Sequence, residues 1–186
     1  MSQFWSKPLF WVGFHFIGVI LTVIMYRLPA VKEKALRAPK GVQRLFAMTF
    51  YLLPPLVLPL LPQPRLSWPV PVGIGAGLVL LIGMVVVRAK AHRELGAHPA
   101  LRPRSSLVTT GIYSRVRHPM YLSNLLLAVG WALLFRGIHA LLCVPIWVLC
   151  YGVLTFFEEK GLEAEYREAY REYKREVRWR IVPKVF

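Results

Sequence analysis

Acidic side chains are few in this 186-residue chain: nine carboxylates, all of them glutamate, stand against 24 lysines and arginines, for a formal charge of +15. An excess of that size invites a nucleic-acid reading. The basic residues, however, lie between and after apolar stretches rather than on a soluble domain, so no nucleic acid is expected, and anionic lipid headgroups are the expected counter-charge. Cysteine is scarce as well. Cys143 and Cys150 share one apolar stretch at i and i+7, without any CxxC or CxxH pattern, so they read as ordinary core or lipid-facing residues and no metal is expected. Also lacking is a small-residue cleavage site between the first apolar stretch, which begins at Pro8, and the charged stretch from Arg27, so that first stretch is expected to remain as a membrane helix.

What the chain has in abundance is apolar length. Hydrophobic residues make up 56% of it and the mean hydropathy is +0.47, which excludes an ordinary soluble core. Five stretches approach the roughly 20 residues of a bilayer-spanning helix: Pro8–Tyr26, Leu45–Leu61, Trp68–Val87, Met120–Phe135 and Ile138–Phe157. The expected architecture is all-α, a single polytopic membrane bundle over residues 1–186. Residues 1–87 hold three transmembrane helices; residues 88–186 hold a long connection, a helical hairpin joined by Arg136 and Gly137, and a charged tail. Pro54, Pro55 and Pro59 predict a distortion of the second helix. The tail after Glu158 carries Leu162, Tyr166, Ala169, Tyr173 and Val177 at spacings of three and four, which predicts one amphipathic helix at the membrane interface or over the bundle end.

Charge sets the expected orientation. Twenty-one of the 24 basic residues fall in the first connection, the third connection or the tail, and only Lys7, Arg65 and Arg136 fall on the other side. Lysine and arginine excess marks the cytoplasmic face. The N-terminus is therefore expected outside, the C-terminus in the cytoplasm, and the functional face with it.

Two short clusters on that face carry candidate chemistry. Arg117 and His118 precede Pro119, a residue suited to the first helical position, and so sit beside the free backbone donors of a helix start, a natural receptor for a carboxylate. Tyr121, Asn124 and Ala128 then form a small polar strip on one face of that helix. Glu158 and Glu159 close the fifth apolar stretch, where a helix C-terminus disfavours negative charge and calls for a cation. The hairpin brings the two pairs together. They would form a salt bridge, or jointly hold a zwitterionic amino-acid ligand.

LVTTGIYSRVRHPMY over residues 107–121, the Glu158–Glu159 pair, and Tyr170 with Tyr173 in YREYKREV together resemble the isoprenylcysteine carboxyl methyltransferase family and, more distantly, the phosphatidylethanolamine N-methyltransferases. The resemblance runs from His92 to Pro183. It implies a site for S-adenosylmethionine, released as S-adenosylhomocysteine, with a lipophilic substrate entering from the bilayer. Ser106, Leu107, Val108 and Tyr113 would line the cofactor before the helix, and His118, Pro119, Met120 and Tyr121 would meet it at the helix start. Glu158 or Glu159 would face its positive charge, with Glu159 favoured. Arg117 and Glu159 are the implied catalytic pair. Asn124, Tyr166, Tyr170, Arg178 and Arg180 are the implied substrate contacts. Ser123 and Arg178 depart from the family pattern, where glycine and proline are common. Membrane sterol reductases share an RHxxY ending but carry further helices before it, and a non-catalytic scaffold would use the two pairs only as a salt bridge.

Overall fold

The computed structural model describes residues 7–95 and 107–185, and among them a single bridge between Arg65 and Gly137 is the only extended pairing; the rest is helices and their connections. Four helices are long and apolar enough to cross a membrane, over Pro8–Arg27, Lys40–Leu60, Val70–Leu95 and Ile138–Tyr166, and a shorter apolar helix spans Pro119–Leu134. The all-α membrane bundle is as expected.

Helix α1 (Pro8–Arg27) opens on a proline and ends where Leu28 turns extended ahead of Pro29, as the residue before proline prefers. Between the first two spans lies a short helix that periodicity did not reveal, α2 (Pro29–Arg37), closed by Ala38 ahead of Pro39. The second span runs as α3 (Lys40–Ala47), a π-helical turn over Met48–Leu52, α4 (Leu53–Val57) and a 3-10 turn over Leu58–Leu60. The prolines account for this interruption. Pro54 and Pro55 lack the N–H groups that would meet the carbonyls of Phe50 and Tyr51 four residues back. Those carbonyls accept instead from His15 Nδ1 at 2.8 Å and from the Tyr151 hydroxyl at 3.3 Å. Further along, Leu56 O accepts from Trp131 Nε1 at 2.9 Å and Pro59 O from Arg65 Nη1 at 2.7 Å. Thus the broken helix is tied to α1 and to the later helices that carry Trp131 and Tyr151 by the carbonyls freed along it, which is how a membrane interior tolerates such a break.

Helix α5 (Val70–Leu95) extends two turns beyond the expected end at Val87, so Arg88 lies on a helix rather than in a loop. It packs along α6 (Pro119–Leu134) through small residues: a Cβ on Gly77 would sit 2.8 Å from Gly130 O. Backbones in such contact gain dispersion that larger side chains would prevent. At the end of α6, Arg136 adopts φ +54°, and Gly137 N donates to Ala132 O at 2.9 Å, the reverse turn that starts the hairpin. The return strand of the hairpin comprises α7 (Ile138–Leu142) and α8 (Val144–Tyr166). Trp147, Tyr151 and Leu154 of α8 are fully buried with Leu58, and Ile181 of the tail joins the same core.

Two expectations need correction. Glu158 and Glu159 do not end a helix; α8 continues to Tyr166, so the dipole argument for a compensating cation does not apply to them. The tail is not one helix either. It bends at Arg167, with φ +50° and ψ −120°, before α9 (Glu168–Glu176). The bend resets the helical phase, so Ala169 is exposed and Tyr170 takes its place in a cluster with Tyr173, Val177, Leu107, Leu162 and Tyr166.

Candidate active site

The loop before α6 is held from both sides. Gly111 adopts φ +60°, and a Cβ there would collide with the Glu94 side chain near the end of α5; Thr110 Oγ1 donates to Glu94 Oε2 at 3.3 Å. From α9, the Tyr173 hydroxyl donates to Tyr113 O at 2.7 Å. The tail then straps across the helix start: Arg117 N donates to Trp179 O at 2.9 Å and His118 N to Arg180 O at 2.7 Å. Arg117 Nη1 adds bonds to Val177 O at 2.5 Å and Arg178 O at 2.9 Å. The backbone donors of residues 117 and 118, which precede the helix start, are consequently taken by the tail.

Beneath the strap lies a buried ionic cluster centred on Glu159. Its carboxylate receives Arg117 Nε at 2.8 Å, His118 Nε2 at 3.3 Å and Arg180 Nη2 at 3.1 Å. The side chains of Arg117 and Glu159 are 6% and 5% exposed. A buried pair of this kind is costly to desolvate and costly to break, so Glu159 binds the helix start to the tail. Glu158 is placed differently. Its Oε2 lies 3.5 Å from His118 Nδ1, it has no other ion pair among the described residues, and its charge reaches Tyr121. Burial alone would push the His118 pKa down, but hydrogen bonds and charges from both glutamates outweigh it and raise the value above 6.5. The imidazole thus sits between two carboxylates that favour its protonated form.

Around this cluster three hydroxyls or amides are oriented. The Tyr170 hydroxyl is buried, with no hydrogen-bond partner among the described residues, and the charges of Glu159 and Arg117 both act on it. Tyr121 stacks on Tyr151 with ring centroids 5.1 Å apart. Asn124, buried on the polar strip of α6, accepts a hydrogen bond from Arg88 Nη2. Arg88 is a candidate site residue that sequence reasoning missed. Counted only as a loop charge, it is an ionisable residue on a membrane helix facing a buried amide, and such residues rarely lack a role.

The other expected residues fall as follows. Leu107 and Val108 are half-buried, Tyr113 and Pro119 are buried, and Met120 is half-buried at the helix start. Tyr166 packs in the aromatic cluster below α9. Arg178 is exposed and contributes its carbonyl, while Arg180 turns its side chain to Glu159. Ser106 lies outside the described residues. Among the described residues there is no group of side chains able to hold a metal ion.

Comparison with known proteins places the same residues in context. A family model described as phospholipid methyltransferase matches residues 72–169, from α5 through both halves of the ionic cluster to the start of α9. The protein-S-isoprenylcysteine O-methyltransferase of Xenopus laevis is 33% identical over 115 residues, which is 54% of this chain and 38% of the frog protein. The aligned stretch therefore spans less than half of that relative. Because the family model alone covers more than half of the chain and includes the helix start, the glutamate pair and the hairpin that joins them, this protein belongs to the phospholipid methyltransferase family.

Proposed function

We propose that this chain is a methyltransferase using S-adenosylmethionine, acting on a lipophilic substrate of the isoprenylcysteine carboxyl type taken from the bilayer. The observation that carries this reading is the asymmetry of the glutamates: Glu159 receives side-chain nitrogens of Arg117, His118 and Arg180, whereas Glu158 meets only His118 and keeps acceptor capacity toward the polar strip of α6. The ligand-facing carboxylate is then Glu158 rather than the Glu159 favoured from sequence. Arg117 and Glu159 position the site instead of touching the reacting atoms.

The residues fit a cofactor that carries an ammonium, a carboxylate and a sulfonium. Glu158, oriented by His118, would hold positive charge, and the unpartnered Tyr170 hydroxyl would supply a hydrogen bond to the carboxylate. Once bound, S-adenosylmethionine supplies an electrophilic methyl group on a positively charged sulfur. The protein's task is alignment and exclusion of water. Arg88, fixed by Asn124, would orient an attacking carboxylate, which needs no base. An apolar groove of about 430 Å³ between α4, α5 and α6, lined by Leu56, Leu78, Ile82, Val86, Leu127 and Trp131, reaches to within a turn of Arg88 and suits a hydrocarbon tail.

A phospholipid amine is the second reading, favoured by the family description. It requires loss of a proton, and Glu158 would accept it. The site is assigned to the cytoplasmic face, with the N-terminus outside, from the distribution of basic residues. Arg65 and Arg136, two of the three exceptions, support this: both direct their guanidinium groups to backbone carbonyls at a helix end or loop, namely Phe135 O at 2.8 Å and Trp68 O at 3.0 Å. Incubation of the purified protein with methyl-labelled S-adenosylmethionine and a total lipid extract tests the proposal. A base-labile labelled product indicates a methyl ester and a base-stable one an N-methyl lipid; no labelled lipid contradicts both readings.

A further inference from the structure

We propose that the connection between the first two spans is a preorganised ledge that binds anionic phospholipid headgroups, independently of the methyltransferase reading. Arg27, Lys32, Lys34, Arg37, Lys40 and Arg44 lie within eighteen residues. The one acidic residue among them, Glu33, pairs with Arg37 at 2.5 Å. Lys32, Lys34, Lys40 and Arg44 have no ion-pair partner among the described residues, and all but the partly exposed Lys32 are exposed.

The ledge is built rather than loose. Pro29 and Pro39 set the start of α2 and the cap of α3, and Gln43 Nε2 donates to Ala35 O at 3.3 Å and Ala38 O at 2.9 Å, locking the corner between the two helices. Both ends of the ledge are membrane-crossing helices, so its nine-residue helix, about 14 Å long, is confined to the interface. Aliphatic side chains are interleaved with the cations: Leu28, Val31, Val42 and Leu45 are 50%, 40%, 54% and 65% exposed. A surface for nucleic acid or an acidic protein would not present this much bare aliphatic area beside its charges. Apolar side chains entering the acyl boundary while lysines reach headgroups is the interfacial pattern. Zwitterionic headgroups leave four cations without a counter-charge, whereas anionic ones neutralise them.

The test uses the full chain in nanodiscs of phosphatidylcholine mixed with spin-labelled phosphatidylglycerol or spin-labelled phosphatidylcholine. The parent should retain phosphatidylglycerol preferentially, with the preference declining at high salt. The quadruple variant Lys32→Gln, Lys34→Gln, Lys40→Gln, Arg44→Gln should lose at least about fivefold of that preference, the effect that one cation near an anionic surface exerts. The single variants Lys34→Gln and Lys40→Gln should each show part of the loss and guard against misfolding of the quadruple. A parent without preference for phosphatidylglycerol, or a folded quadruple variant that keeps it, overturns the proposal. S-adenosylmethionine binding measured on the same samples should be unchanged by these substitutions; failure of the parent to bind it would bear on the proposed activity and not on the ledge.

Discussion

Replacing each glutamate of the pair by glutamine separates a structural carboxylate from a ligand-facing one. Glu159→Gln leaves Arg117 in a site where its side chain is 6% exposed, without its counter-charge. Breaking a buried pair costs about 3–5 kcal/mol, and the amide oxygen still accepts one hydrogen bond, so about 3 kcal/mol is expected. For a chain of this size that lowers the melting temperature by about 6–12 °C. Glu158→Gln removes one ionic contact at 3.5 Å, worth about 1 kcal/mol or less, so its melting temperature should stay near the parent's. The gain on adding S-adenosylmethionine runs the other way. At a concentration about 100 times Kd the parent gains about 2.7 kcal/mol; a hundredfold weaker variant gains only about 0.4 kcal/mol. Melting curves of both variants in detergent, with and without S-adenosylmethionine, decide it. Full cofactor stabilisation of Glu158→Gln, or a parental melting temperature for Glu159→Gln, refutes the assignment.

His118→Ala and Tyr121→Phe, which each remove a partner that orients Glu158, should each weaken S-adenosylmethionine binding by roughly ten- to a hundredfold, as titration calorimetry would show. Because the folded-state pKa of His118 lies above 6.5, the native protein holds a proton that the unfolded chain releases. Its contribution should be complete below pH 6.5 and lost as pH rises through the folded value, and His118→Gln should flatten that slope in melting temperature. Arg167→Gly should raise stability by about 1 kcal/mol, since φ +50° with ψ −120° is strained for any side chain, with part of the gain offset by glycine's entropy in the unfolded chain. Reporter fusions at the two termini should place the N-terminus outside and the C-terminus in the cytoplasm; the opposite result sinks the proposed face.

Helix existence was legible because apolar length is a long-range signal that local chemistry cannot hide. The spans start within a few residues of expectation, and the convergence of Arg117 and His118 with the glutamates follows from the two-residue joint at Arg136–Gly137. What escaped was anything decided by a carbonyl or a bend. The π turn ahead of Pro54 depends on donors from His15 and Tyr151, which lie 35 and 100 residues away from their partners. Likewise the break at Arg167 has no glycine or proline to announce it, so one stripe was read across two helices and Ala169 replaced Tyr170. Arg88 looked like an anchoring charge because the apolar run ends at Val87, although α5 carries on and turns it toward Asn124. The strap of residues 177–180 over the helix start pairs segments some 60 residues apart, and neither carries a strand-like alternation.

Binding of S-adenosylmethionine to the purified parent protein, followed by isothermal titration calorimetry beside Glu158→Gln, tests the central claim most directly. Saturable binding at one site per chain in the parent, weakened at least about tenfold in the variant, is the predicted result; no detectable binding to folded parent, or equal binding by both, would contradict it.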